Sequence, residues 1–214
     1  AEDLEYFFPE QKNKIIVTGE GIPDLSKGAK GAPDFPYFFY AGSAYPHKKL
    51  DLLMEAWSEL AKLYPEKHLV VAGEVDVFME RVKKQARSLD LERVHFLGSV
   101  SDEELGNLYQ KADLFIFPSE FEGFGLPPFE ALSMGTPVAA SHERPMIDLL
   151  GDLGVVYFKS GDKDAMIEAV KAVVDNLESM RNQAKNAGQA LKEKYSWKNT
   201  ALLTMKAYDF AINS

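Results

Sequence analysis

The chain contains no cysteine among its 214 residues, which excludes disulfides, thiolate nucleophiles and Cys-ligated metal and fits a reducing, cytoplasmic compartment. Histidine is scarce: His47, His68, His95 and His142 are the full set, and no two stand at a metal-ligand spacing. No apolar run approaches the length of a membrane span. Positive charge is in deficit. The 24 Lys and Arg against 33 Asp and Glu leave a net charge of −9, which argues against broad nucleic-acid binding but leaves room for a local basic pocket holding an anion. There is no internal repeat or low-complexity tract. With no thiolate and no paired histidines, no metal is expected. Residue 1 is Ala and not Met, so the chain is expected to be a piece of something longer.

What is present is an alternation. The short apolar runs "YFFYAG" (37–42), "HLVVAG" (68–73), "VHFLGSV" (94–100), "DLFIFPS" (113–119), "PVAAS" (137–141) and "GVVYF" (154–158) read as buried strands. Between them lie stretches of helical period. Residues 49–64 place Leu50, Leu53, Met54, Trp57, Leu60, Ala61 and Tyr64 on one face. Ser101 with Glu104 spells a capping box, and a helix from Leu126 closes at Gly135. Residues 143–152 predict a short helix, 162–195 a long helical stretch that Gly188 interrupts, and the segment from Ser196 a last helix. Upstream, "IIVT" (15–18) reads as a short strand, and the Gly- and Pro-rich residues 19–36 as a connector. The alternation predicts an α/β fold: an open parallel sheet of about six strands with helices on both faces, a Rossmann-like arrangement.

Such sheets bind ligands at the carboxyl ends of their strands, so the residues just after each strand carry the functional question. After the fourth strand comes "EFEGFG" (120–125), followed by a helix start with Pro127 and Pro128 in its first turn. A helix start offers N–H groups and partial positive charge, and Gly123 and Gly125 let backbone approach a ligand closely; the natural ligand is a phosphate. Glu130, one turn into the helix, suits a vicinal diol such as a ribose, although glutamates early in a helix are also favoured by the dipole alone. Glu120 reads as a solvated loop carboxylate. After the first strand, Gly42 and Ser43 lead to Lys48, placed to point an ammonium at the strand ends, or else an ordinary surface lysine. His47 and Lys49 read as surface positions. The loop from Gly98 to Val100 can face a flat base or be a plain turn. His95 reads as a structural histidine, Trp57 and Trp197 as packing residues, and Arg144 as either an anion contact or a surface ion pair.

Taken in order, these stretches resemble the C-terminal, donor-binding domain of the retaining GT-B glycosyltransferases, the family 4 or group 1 glycosyl transferases. The elements that carry the resemblance are Gly42 to Lys48, Phe96 to Leu105, Ala112-Asp113, and Pro118 to Val138 with its Glu122 and Glu130; the likeness spans 15–172. It implies a nucleotide-sugar site. Lys48 would bind the diphosphate, Glu122 would lie beside the donor sugar as its catalytic partner, and Glu130 would meet the ribose. The amides of Phe124, Gly125 and Leu126 would hold phosphate or sugar, with the base against Leu97 to Val100. Many members carry an arginine where this chain has Ser43; Arg144, His47 or a group from elsewhere would have to compensate. The resemblance implies residues 1–36 as the end of a missing N-terminal domain plus connector, 37–195 as the nucleotide-sugar domain and 196–214 as a crossover helix. It implies a hexosyltransferase in bacterial surface-polysaccharide synthesis, taking a GDP- or UDP-linked donor as substrate, with no resident cofactor and this half alone inactive. Peripheral membrane contact is left open for the intact enzyme. Two rivals stand beside this reading: a glycoside hydrolase using Glu122 and Glu130, and a non-catalytic nucleotide-binding module supporting a partner subunit.

Overall fold

A computed structural model describes residues 2–25, 31–144, 146–151 and 154–213. The middle of the expected connector (26–30), and Pro145 and Asp152 of the expected short helix, lie outside the described residues. The chain divides into two compact units, Asp24–Leu191 and Ala1–Pro23 with Lys192–Ser214.

The larger unit is built on six parallel strands: β1 (Tyr37–Ala41), β2 (His68–Ala72), β3 (Val94–Gly98), β4 (Leu114–Phe117), β5 (Val138–Ser141) and β6 (Val155–Phe158), in the order β3-β2-β1-β4-β5-β6. All six runs predicted as sheet strands are strands. The centre of the sheet is buried on both faces, with every residue of β1, β4 and β5 inside, which is why those runs are continuously apolar and not alternating.

The helices of this unit are α2 (Leu50–Leu63), α3 (Val77–Ser88), α4 (Asp102–Lys111), α5 (Leu126–Ser133), α6 (Met146–Leu150), α7 (Lys163–Asp175) and α8 (Leu177–Lys194). One core forms where α2, α3 and α7 cover Phe38, Tyr40, Leu69, Val71, Leu114 and Ile116. Trp57 is fully buried there, and its indole N–H donates to the Glu92 carbonyl at 3.0 Å. On the opposite face α4 sets Tyr109 edge-on against Phe39 and Phe115. Helices on both sides are thus observed. Caps start α3, α4 and α7: the Asp76 carboxylate accepts from two first-turn N–H groups, Ser101 and Glu104 complete the capping box, and Asp162 accepts from the Ala165 N–H.

Three local expectations change. The long helical stretch breaks at Asn176, between α7 and α8, and Gly188 does not interrupt it. Gly188 is instead a contact point, since a Cβ there would lie 2.1 Å from the Leu132 carbonyl oxygen of α5. Residues 15–18 form no strand, because the described elements of their unit are helical and offer no edge to pair with. Trp197 is 62% exposed and is not a packed core residue.

The smaller unit holds α1 (Glu2–Phe7), a 3₁₀ turn (Pro9–Lys14) and α9 (Trp197–Asn213), which Ser196 caps by accepting from the Asn199 N–H at 3.2 Å. No residue of α9 is buried. Among the described residues, no helix is long and apolar enough to cross a membrane.

Candidate functional site

The strand order reverses between β1 and β4: β2 and β3 build outward from β1 on one side, β5 and β6 from β4 on the other. Connections leaving neighbouring strands in opposite directions open a crevice at their carboxyl ends. Two of the loops singled out from the sequence, the one after β1 and the one after β4, border this crevice.

They are stitched together. The Glu120 N–H donates to the His47 carbonyl at 2.8 Å, and the Ser119 hydroxyl reaches the same carbonyl at 3.4 Å. The buried Ser141 hydroxyl, at the end of β5, donates to the Ser119 carbonyl and holds the base of the loop. Glu120 is not merely a solvated carboxylate, and Lys49 not merely a surface lysine, because they pair at 2.9 Å. Lys49 holds φ at +51°, in the left-handed region, directly before α2.

Between these two loops the Lys48 ammonium donates to Glu122 Oε1 at 2.6 Å, with the two side chains only 18% and 11% exposed. Lys48 also lies 5.7 Å from the centre of the Phe117 ring, on the strand that ends below it. A cation and an anion from loops 74 residues apart thus meet in one half-buried pair. Beneath them, Tyr40 is buried, and its hydroxyl donates to the Ser43 carbonyl at 2.6 Å, shaping the turn after β1. Burial first, and the Glu122 charge second, hold that phenol well above its usual range, so it stays a donor.

The helix start after Glu122 lacks the side-chain cap that α3, α4 and α7 carry, as does the start of α2 after Lys49. Gly125 occupies the cap position of α5 at φ +80°, with no side-chain cap. A Cβ at Gly125 would also approach Met146 Cγ at 3.3 Å, so both conformation and space call for glycine. Pro127 and Pro128 bring no N–H, so the amides that can turn to a ligand here are those around Gly125 and Leu126. Phe124 stacks on Phe129 at 4.7 Å, anchoring the residue before the cap.

Glu130 lies further along α5, partly buried. Its Oε2 accepts from the Tyr109 hydroxyl at 2.9 Å. Burial raises its carboxyl above the usual range, and the Tyr109 hydrogen bond pulls the other way. Gly98 joins the same sheet edge through backbone, its carbonyl accepting from the Gly73 N–H at 2.9 Å, as Ala72 accepts from Gly42 at 3.0 Å. Val100 follows in the same loop, half-buried. Gly42, Ser43, Lys48, Gly98, Glu122, Phe124, Gly125, Leu126 and Glu130 therefore all stand at or just beyond the carboxyl edge. Ser119 and Ser141 stand at strand ends, where the sequence reading looks for function, but Tyr109 and Tyr40 escaped it. Their only signal is a hydroxyl on an otherwise apolar buried stretch, which must find a partner.

Away from this edge, His95 Nε2 lies 2.8 Å from His68 Nδ1, with Phe35 stacked over both rings, as befits a structural histidine. Asp113, whose N–H closes onto Tyr37, pairs with Lys67 and Arg181 at 2.9 Å each. Among the described residues no group of three or more His, Asp or Glu side chains could hold a metal ion.

The chain resembles known proteins over most of its length. It is 33% identical over 180 residues to the O-antigen chain mannosyltransferase B of Escherichia coli, an alignment covering 80% of this chain and 45% of that relative. The fold matches a glycosyltransferase structure from Rickettsia africae with a TM-score of 0.85 at 18% identity, over 99% of this chain and 61% of that one. It also matches HepE of Anabaena, solved in complex with UDP-glucose, with a TM-score of 0.71 at 19% identity, over 85% of this chain and 50% of that one. The chain spans about half or less of the length of the curated relatives it matches. The model of the family "Glycosyl transferases group 1" matches residues 24–190, nearly the whole of the larger unit, and the chain belongs to that family.

Proposed function

We propose that this chain is the donor-binding half of a retaining glycosyltransferase, which moves a hexose from a nucleotide sugar to a hydroxyl acceptor in surface-polysaccharide synthesis. The observation that carries the reading is the Lys48–Glu122 pair at the β1/β4 crevice, beside a helix start that no side chain caps. An ammonium and the amides of an uncapped helix start suit a diphosphate, and a carboxylate beside the ammonium suits the sugar attached to it.

In this reading the bond from the anomeric carbon to the diphosphate oxygen breaks as the acceptor oxygen bonds to that carbon and passes its proton to the departing diphosphate oxygen. Negative charge gathers on the leaving diphosphate, and Lys48 with the Gly125 and Leu126 amides stabilises it there. Glu122 orients the sugar, and Glu130 accepts from the ribose. Ser43 gives the diphosphate no charge, so the second cation is Arg144, His47 or a group on the other half of the enzyme. The acceptor site belongs to that half, and the intact enzyme works in the cytoplasm or at the inner membrane face. The donor is a GDP- or UDP-linked sugar: the mannosyltransferase relative favours a hexose of the mannose type, and the UDP-glucose complex keeps uridine in the screen. No resident cofactor is invoked.

The test is calorimetry and chemical-shift mapping of the chain against GDP, UDP and ADP, their sugar conjugates, and free oligosaccharides. One nucleoside diphosphate should bind and perturb Lys48, Gly125 and Glu130 together. A labelled donor should show essentially no transfer with this chain alone, and transfer when its N-terminal half is supplied. Binding of a free glycan without any nucleotide would instead favour a hydrolase using Glu122 and Glu130. Nucleotide binding without donor consumption by the complete protein would favour a non-catalytic module.

A further inference from the structure

Tyr109 makes an unusual set of contacts for a core aromatic residue. Its side chain is fully buried, with the ring held edge-on between Phe39 of β1 at 5.2 Å and Phe115 of β4 at 5.1 Å. Its backbone carbonyl accepts from the buried hydroxyl of Thr136, in the turn that leaves α5. Its own hydroxyl donates to Glu130 Oε2 at 2.9 Å. One residue of α4 is thus bonded to α5 at Glu130 and to the turn after α5 at Thr136. The flanking rings leave the phenol no room to swing, so its O–H is a donor of fixed direction.

A core tyrosine needs only some acceptor, and a backbone carbonyl serves, as the Leu108 carbonyl does for Tyr37 at 2.8 Å. Spending the hydroxyl on a carboxylate at the ligand edge has a different consequence. It fixes one oxygen of Glu130 and thereby sets the plane and reach of the other. It also opposes the burial that would protonate the group, because a hydroxyl donor favours the charged carboxylate. A carboxylate so held can accept from two adjacent hydroxyls of a ligand; a freely rotating or protonated one would do so poorly.

We infer that Tyr109 is the positioning residue of the donor site, holding the Glu130 carboxylate in the orientation that reads the ribose hydroxyls of a nucleoside diphosphate. The inference rests on the proposed role of Glu130 at the ribose. Tyr109 does not touch the nucleotide; it acts through Glu130, and what it controls is discrimination between ribose and deoxyribose.

The experiment measures affinity by calorimetry for UDP and GDP, and for the 2′-deoxy and 3′-deoxy forms of whichever binds more tightly. The wild-type chain should prefer the ribonucleotide by about tenfold, the worth of a hydrogen bond to a charged acceptor at the low end of its range. Tyr109→Phe should bring that ratio close to one while diphosphate-driven binding of the deoxy forms persists. Glu130→Gln should also lower the ratio, and adding Tyr109→Phe to it should change nothing further. If Tyr109→Phe keeps the wild-type ratio, or weakens ribo and deoxy forms equally, Tyr109 is only a packing residue and the inference falls. If Tyr109→Phe does not fold, fluorinated tyrosine at position 109 keeps the ring and alters the donor strength; an unchanged ratio then overturns the inference in the same way. Failure of the wild-type chain to bind any nucleoside diphosphate would overturn the donor-site reading itself and this inference with it, whereas binding with an unmoved ratio overturns this inference alone.

Discussion

Glu122→Gln should tighten the binding of a nucleoside diphosphate to this chain and yet lower sugar transfer by the complete enzyme. The carboxylate of Glu122 accepts from Lys48 at 2.6 Å in a pair that is largely withdrawn from water. A phosphate oxygen bonded to the same ammonium would stand about 5 Å from that carboxylate, given ordinary hydrogen-bond lengths. Two unit negative charges at that distance repel by about 0.8 kcal/mol in bulk water and about 3 kcal/mol at an effective dielectric constant near 20. The pair lies at an edge between these limits, so relief of about 1.5 kcal/mol, or roughly tenfold in affinity, is expected when the charge is removed. Glutamine keeps the shape and an acceptor for Lys48, so the change is one of charge and not of packing. Calorimetry at about 0.05 M and 0.5 M salt should show the gain at low salt and a smaller gain at high salt, since screening weakens the repulsion. Lys48→Met should move the other way, by about a hundredfold, because the charge-assisted contact is lost altogether. Unchanged or weaker diphosphate binding by Glu122→Gln at low salt would refute the argument that acid and phosphate compete for one ammonium.

Asp113→Asn should cost about 2–3 kcal/mol in urea unfolding, because it leaves Lys67 and Arg181 beside a neutral group in a partly buried junction. Gly188→Ala should cost at least about 1–3 kcal/mol, since its Cβ would press on the Leu132 carbonyl at 2.1 Å; Leu132 shares α5 with Glu130, so nucleotide affinity should fall as well. The His68 imidazole is held below its usual 6.5 by burial, then by His95 and by Arg93. The unfolded chain therefore takes up a proton near pH 6.5 that the folded chain resists, so unfolding free energy should fall as pH drops below about 6.5. His68→Gln should flatten that slope, as followed by denaturant midpoints across pH 5 to 8.

The two loops of the site contribute different things. The loop after β1 brings the cation and is braced by Tyr40 beneath it. The loop after β4 brings the acid and the glycine that opens α5, and Ser141 holds its base. Because the loops leave neighbouring strands, small changes in strand register would be felt directly in the Lys48–Glu122 distance. That links the packing of the sheet to the chemistry at its edge.

The amino-acid sequence by itself determined the six strands, most of the helices, the Ser101–Glu104 capping box, and the residue types at each strand end. Those properties depend on period, capping and glycine placement, which act over one or two turns of chain. It also named both carboxylates and the lysine. It could not say that β1 lies beside β4, that Lys48 and Glu122 meet across 74 residues, or that Tyr109 holds Glu130 across 21. Gly188 shows the same division: a local breaker by propensity, it stays helical because only a residue without a side chain fits against Leu132. Strand order, ion pairing and close helix contact are products of non-local packing, and the tertiary structure alone decided them.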